Sequence, residues 1–473
     1  MSNVSIEEGA ASVAVGTDNN KKGLGLKRFA YVGTGSRVRT FLDPVARDYK
    51  EDSEIVGLCD TSLVRANYHQ KRLRDLYDYK NVPVYHASEF CTMLKELRPD
   101  KVVVCTIDRE HDYYIKASLE AGCDVITEKP MTVDATKCQA IMDTIAASHG
   151  RSVQVAFNYR WSPAATKVKE VLDSGVIGKV HQVNLEYLLN TSHGADYFRR
   201  WHSYKKDSGG LLVHKSTHHF DLVNWWIDGI PEAVFAHGNL SFYGRDNAIK
   251  RGDGKYTEYP RYHGIVGHED PFAFLYEDLC DDDIYNRHLY LEAEKESGYQ
   301  RDQNVFRDGI DIEDTMNVMV RYRHGPLLNY SLNAYSPDEG YRVSFMGDRG
   351  RIEFEEKHGA HILNDDGSKK QVDEHAHAGG HRLVVHPHFK AAYDVEIEHA
   401  EGGHGGADPL LQAQLFAKDP PKDPFGRHAG HEQGAASILI GIAANQSMIH
   451  EKQVRLLDLA NLRPDASHLS ELI

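Results

Sequence analysis

From Lys27 the chain alternates short apolar runs with stretches of helical periodicity. Phe29-Ala-Tyr-Val-Gly33 reads as a buried strand, followed by helix-like sequence through Tyr49. Glu54 to Asp60, Val82 to Tyr85, Lys101 to Thr106, Asp124 to Thr127 and Val153 to Phe157 are further strands. Helical stretches fall between them: Ser62 to Tyr77, Ala87 to Leu97, Glu110 to Ala121 (stopped by Gly122) and Val133 to His149. Uniformly apolar strands separated by helices predict a parallel sheet covered on both faces, a doubly wound domain over 27–157.

After Asn158 the texture changes. A helix over Ser162 to Ser174 leads to Val180–Tyr187, which alternates inward and outward positions as a half-solvated strand does. Asp314 to Tyr322, Leu327 to Ala334, Arg342 to Phe345 and Arg351 to Phe354 repeat that alternation. The pattern predicts an α+β domain over 158–473, with a large, mostly antiparallel open sheet. Residues 243–310 lack periodicity and read as an insertion. Gly434 to Glu451 reads as an amphipathic helix.

A chain of 473 residues is too long for one core. Its net charge of -15 disfavours nucleic acid or an anionic membrane as partner. No apolar run approaches the roughly 18–20 residues of a membrane span. Residues 1–26 lack the basic start and apolar stretch of a secretory signal and are expected to form a disordered tail. Six cysteines without C-x-x-C spacing fit free thiols in a cytoplasmic protein.

Three constellations carry chemistry. Gly33-Thr34-Gly35-Ser36-Arg37 follows a strand and opens a helix, with Asp60 closing the next strand. Glycines there permit a tight turn and close approach to a pyrophosphate, and the carboxylate accepts from ribose hydroxyls. That carboxylate argues for NAD over NADP, with Arg65 as the feature against it. Val38 stands at the third position of the fingerprint, where Gly or Ala is usual. Thr127-Glu128-Lys129-Pro130 lies at the carboxyl end of the fifth strand, where open parallel sheets bind ligands. Gly209-Gly210…His214-Lys215-Ser-Thr-His218-His219-Phe-Asp221 packs three histidines, a lysine and an acid together, which suits proton transfer or a metal. If helical, His214 and His218 share one face.

These segments, with Cys105-Thr106-x-x-Arg-Glu-His111 and Asn158-Tyr-Arg160-Trp-x-Pro163, occur in one order. The chain thereby resembles the Gfo/Idh/MocA oxidoreductases from about Lys27 to Leu459. The resemblance implies a Rossmann domain, a second domain whose sheet mediates homodimers or homotetramers, and NAD(P)-dependent chemistry on a hydroxyl of a sugar or cyclitol. It places the functional lysine at Lys129 and the catalytic histidine at His218. Gly33, Thr34, Gly35, Ser36, Arg37, Asp60, Thr106, His111, Glu128 and Lys129 are the expected cofactor contacts. Arg160, His214, Lys215, Asp221 and His404 are the expected substrate contacts. Where many relatives have Asp-x-Gly-x-His, this chain has His214-x-x-x-His218, so the carboxylate beside the base is missing.

The expected reaction is hydride transfer from a ring carbon, with His218 as base and Lys129 stabilising the alkoxide. The alternative is redox-neutral glycoside cleavage by oxidation, elimination and re-reduction, which needs a second base from among His214, His219 and His404. A non-catalytic sugar-binding protein is the third possibility. His375-x-His377, His381, His386-x-His388 and His404 read as a loop closing over a polyol, and no metal is expected there. Trp161 and Trp201 are candidates for stacking on a sugar face, whereas Trp225 and Trp226 belong in the core.

Overall fold

The structure, a computed structural model, describes residues 25–265, 269–274, 287–364, 380–398 and 403–472. The expected tail lies almost wholly outside those residues, as do His375 and His377.

Six parallel strands form the first sheet: β1 Lys27–Val32, β2 Ser53–Asp60, β3 Val84–His86, β4 Lys101–Val104, β5 Asp124–Thr127 and β6 Val153–Val155. Their spatial order is β3-β2-β1-β4-β5-β6. This is the doubly wound order in which the sequence of strands reverses between β1 and β4, opening a crevice at the carboxyl ends of the strands. The strands are apolar because both faces are covered, and Phe29, Tyr31, Val103 and Ile126 are fully buried.

Nine strands form the second sheet: β7 Val180–Asn190, β8 Pro231–Asn239, β9 Thr315–Tyr322, β10 Leu327–Ser336, β11 Asp338–Gly347, β12 Gly350–Ala360, β13 His381–Pro387, β14 Tyr393–Val395 and β15 Val454–Arg455. All neighbours pair antiparallel except β7 and β10, which run parallel. Strict alternation of buried and exposed positions, as in Thr315–Tyr322, leaves one face of this sheet open.

Two expectations need correction. Helix 431–450 is not amphipathic: from Glu432 to Ala444 every residue is buried, because the helix lies between β8 and the helices carrying Leu211 and Thr217. His381 and His386 belong to a strand and not to a loop, since β13 pairs with β12 along Gly350–Glu356. His386 there faces Glu353 across the ladder at 3.2 Å.

The chain finally returns to the first sheet. Helix 403–416 places Ala407, Leu411, Leu415 and Phe416 in the same core as Phe29, Val38 and Phe41. Residues 243–310 send Tyr243, Tyr262, Val305 and Phe306 into the core without a regular period, and polar side chains add to that packing. Asp314 accepts from the backbone N–H groups of Ser241, Phe242 and Tyr243, and Asn304 donates to the carbonyls of Tyr256 and Tyr259. Among the described residues no helix is long and apolar enough to cross a membrane.

Candidate active site

A cleft of about 990 Å³ runs from the carboxyl ends of β1, β2, β4 and β5 to the helices preceding β8. Gly33, Gly35, Ser36, Arg37, Asp60, Thr106, His111, Glu128 and Lys129 line one side, and His214, Lys215 and His218 the other.

At the strand end, Gly33 has φ +83°, and a Cβ there would sit 2.5 Å from the backbone of Cys105 and Thr106. Only glycine allows β1 and β4 to turn so close together. Gly35 is the reverse case: a Cβ would meet nothing within 4 Å, so its backbone is open to the cleft beside the start of the helical segment 36–47. That open cradle fits a pyrophosphate. Asp60 Oδ2 accepts from Thr34 N and Oγ1 at 2.6 and 3.0 Å, and Oδ1 accepts from Ser62 N and Arg65 Nη1. Thr34 therefore turns away from the cleft and braces the carboxylate, contrary to its expected role as a cofactor contact. His111 is buried, with its ring nitrogens 2.8 and 3.1 Å from the carbonyl oxygens of Pro130 and Thr106. It ties the β4 and β5 loops together at the cleft wall.

Lys129 Nζ crosses the cleft to donate to the His214 carbonyl at 3.1 Å. Burial pushes its ammonium down to about 8, while the nearby carboxylates of Asp108 and Glu128 resist that fall. Glu128 also accepts from Arg37 Nε and from Lys129 N.

At the far end, helix 211–214 stops at His214, a turn intervenes, and a second helix begins at Thr217. His214 and His218 therefore do not share one helical face, although both reach the cleft. His214 Nδ1 lies 2.5 Å from Asp108 Oδ2. Burial raises the Asp108 carboxyl well above its usual range and holds the His214 imidazole well below its own, so the pair resists full charge separation. Asp108 thus restores a carboxylate to this region from a different loop. Tyr159 stacks on the His218 ring at 4.1 Å and 12°, and Lys215 Nζ donates to the Tyr159 hydroxyl at 3.3 Å. His193, Tyr197, Arg200 and Trp201 also line this end. His193 Nδ1 is 2.8 Å from Glu339 Oε1, and its Nε2 is 3.1 Å from the Tyr197 hydroxyl. None of Asp108, Tyr159 or His193 stands out in the sequence by spacing.

Two expected substrate contacts are absent from the cleft. Arg160 is fully buried, donating through Nε and Nη2 to Asp221 at 2.7 and 2.6 Å and through Nη1 to Gln433 at 2.6 Å. Arg160 and Asp221 neutralise each other beneath the floor and face no ligand. His219 is likewise sealed, bonded to the Tyr330 hydroxyl, and cannot serve as a second base. His404 lies in the first turn of helix 403–416, with its side chain outside the description; four residues on, Asp408 accepts from Asn158 on the cleft wall. Trp225 and Trp226 are core residues, as expected, and so is Trp161. Among the described residues no group of three His, Cys, Asp or Glu side chains is arranged to hold a metal ion.

Residues 27–157 match the oxidoreductase-family NAD-binding Rossmann profile, and residues 169–456 match the same family's C-terminal alpha/beta domain. The chain is 35% identical over 93% of its length to the putative oxidoreductase YteT of Bacillus subtilis, all of which is covered. It is 26% identical to D-glucoside 3-dehydrogenase of Escherichia coli, over 44% of this chain and 57% of that protein. The fold matches aldose-aldose oxidoreductase from Caulobacter crescentus with a TM-score of 0.58 at 14% identity, covering 91% of this chain and 100% of that one. The chain belongs to the Gfo/Idh/MocA oxidoreductase family.

Proposed function

We propose that this family member oxidises a ring hydroxyl of a sugar, glycoside or cyclitol, with NAD as hydride acceptor. The observation carrying the reading is that Lys129 and His218, from different domains, line the same cleft whose other end is the glycine turn and Asp60. Gly35 and Ser36 would hold the pyrophosphate and Asp60 would stand at the adenosine ribose, while the bound nicotinamide supplies the acceptor for two electrons and a proton.

The chain's own residues supply the rest. His218 takes the hydroxyl proton, a task matched to an imidazole near neutral pH. Lys129, fixed by the His214 carbonyl, presents its ammonium to the oxygen as negative charge develops there. Stacked Tyr159 orients the His218 ring, and Lys215 holds the Tyr159 hydroxyl. Arg200, Trp201 and His193 are available to the remaining polar groups of the substrate. The name of the E. coli relative supports a glycoside as substrate.

Redox-neutral glycoside cleavage is the second reading. It needs a further base, and His193, oriented by Glu339 with its imidazole 41% exposed, is placed for that work.

Purified protein should be mixed with NAD and a panel of nitrophenyl glycosides, free sugars and inositols, following NADH and nitrophenol together. NADH accumulation without nitrophenol release supports the dehydrogenase, and nitrophenol release without net NADH supports the cleavage reading. In either case Lys129→Ala is expected to lower turnover by about a thousandfold or more while NAD binding survives. Near-normal turnover in that variant would sink the mechanism.

A further inference from the structure

The insertion contributes residues between Leu289 and Gln303 to the opposite end of the cleft, where β2 gives way to helix 63–77. Glu296 Oε2 accepts from Ser62 Oγ at 2.7 Å and from Val64 N at 3.1 Å, the cap and an early amide of that helix. The adjacent Arg65 is drawn into the same contact. Its Nε donates to the Leu289 carbonyl at 3.0 Å, Nη2 to Ser297 Oγ at 2.6 Å, and Nη1 to Asp60 at 2.9 Å. Donors from Ser62 and Val64 hold the Glu296 carboxyl below its usual range, so it is an anion at neutral pH.

The chemistry of this corner is that of an anion site already filled. A helix N-terminus with a neighbouring arginine, just past the second strand, is what a Rossmann fold uses to receive a 2′-phosphate. Here a carboxylate of the same chain takes the two donors, and Ser297 takes part of the guanidinium. A phosphate arriving there would meet Glu296 in both space and charge, with Asp60 immediately behind it. An uncharged ribose diol meets no such repulsion and finds carboxylate acceptors. The insertion therefore supplies what Asp60 alone does not, since Arg65 offsets the charge of Asp60.

Resting on the reading of the cleft as a dinucleotide site, we propose that Glu296 is a specificity-determining residue: it occupies the anion position at the start of helix 63–77 and so selects NAD over NADP. It follows that removing it should uncover a latent phosphate site built from Ser62, Val64 and Arg65.

The test is equilibrium binding of NAD and of NADP, by calorimetry, to wild type, Glu296→Ala, Glu296→Gln and Glu296→Ala/Arg65→Ala. Glu296 is exposed, so these proteins should fold, and thermal melting checks it. Wild type is expected to prefer NAD. Glu296→Ala should bind NADP about tenfold or more tightly than wild type does, with NAD affinity changed by less than about threefold. Glu296→Gln should fall between them, and the added Arg65 change should erase the gain. An unchanged NADP affinity in Glu296→Ala, or a wild type that already prefers NADP, overturns the assignment while leaving the cleft a dinucleotide site. A wild type that binds neither dinucleotide overturns both readings.

Discussion

At the dinucleotide end of the cleft, Gly33, Gly35, Asp60 and Lys129 stand at or just beyond the carboxyl ends of strands in one parallel sheet. At the substrate end, Asp108, Tyr159, His193, His214 and His218 come from five separate short helices spread over more than a hundred residues. The crevice at the first end is a property of the sheet topology, and its glycines and acid sit at fixed places relative to the strands. The second is a meeting of segments with no local relation to one another, held by pairs such as Asp108 with His214 and Tyr159 with His218. Chemistry common to a whole fold can reside at the first end. Selectivity and proton handling are free to differ at the second.

The sharpest way to break this division is to disable the substrate end and ask whether the other end notices. His218→Asn, which removes the proposed base but preserves the approximate shape of the ring edge, is expected to lower kcat/KM by about 10²–10⁴-fold. NAD affinity should be unchanged within about threefold, as read by calorimetry. A matching loss of NAD affinity would mean that the two ends are one coupled unit.

Next in size is the pair beneath the floor. Asp221→Asn leaves the Arg160 guanidinium buried without its counter-charge and is expected to cost about 3–5 kcal/mol of stability. Urea unfolding followed by circular dichroism measures this directly. Activity per folded molecule should survive, because neither residue reaches the cleft. An unchanged unfolding midpoint with activity lost would return Arg160 and Asp221 to the substrate site.

That pair shows where sequence reading stops. Arg160 and Asp221 are 61 positions apart, and an arginine bound for a buried ion pair has the same letter as one bound for a ligand. Glycines and strand-end acids are legible because their meaning is local: Gly33 needs positive φ and close packing on Cys105, and both needs follow from a strand, a turn and a helix in order. Asp108 is not legible, since its partner His214 lies 106 positions away and no local spacing links the two. The break at Lys215 and Ser216 also defeated a periodic reading, because an intact helix and two helices joined by a turn share the same spacing of histidines. Over residues 243–310, Tyr243, Tyr262 and Phe306 reach the core at irregular spacing, and Asp314 and Asn304 bond to backbone groups, so there is no hydrophobic period to read.

The smallest expected effect sharpens the comparison at the border between the two ends, where Asp108 faces both His214 and Lys129. Asp108→Asn keeps an oxygen for the His214 ring N–H and resembles the neutral carboxyl that burial favours, but it removes the negative charge that Asp108 acquires beside Lys129 when it ionises. Burial already lowers the lysine to about 8, and Asp108 with Glu128 opposes that fall. With one of these two carboxylates gone the ammonium must lose its proton at lower pH still. In the proposed oxidation Lys129 acts as a cation, so activity is expected to fall as pH rises through its pKa, and the alkaline limb of the kcat/KM profile should move toward neutrality in the variant. At pH 7 the loss should be small, about twofold to threefold, because burial already favours the neutral carboxyl that Asn resembles. A profile that merely drops in height, with its limb unmoved, would show that Asp108 acts only through His214. Glu128, at the dinucleotide end, would then be the carboxylate that opposes the burial of Lys129.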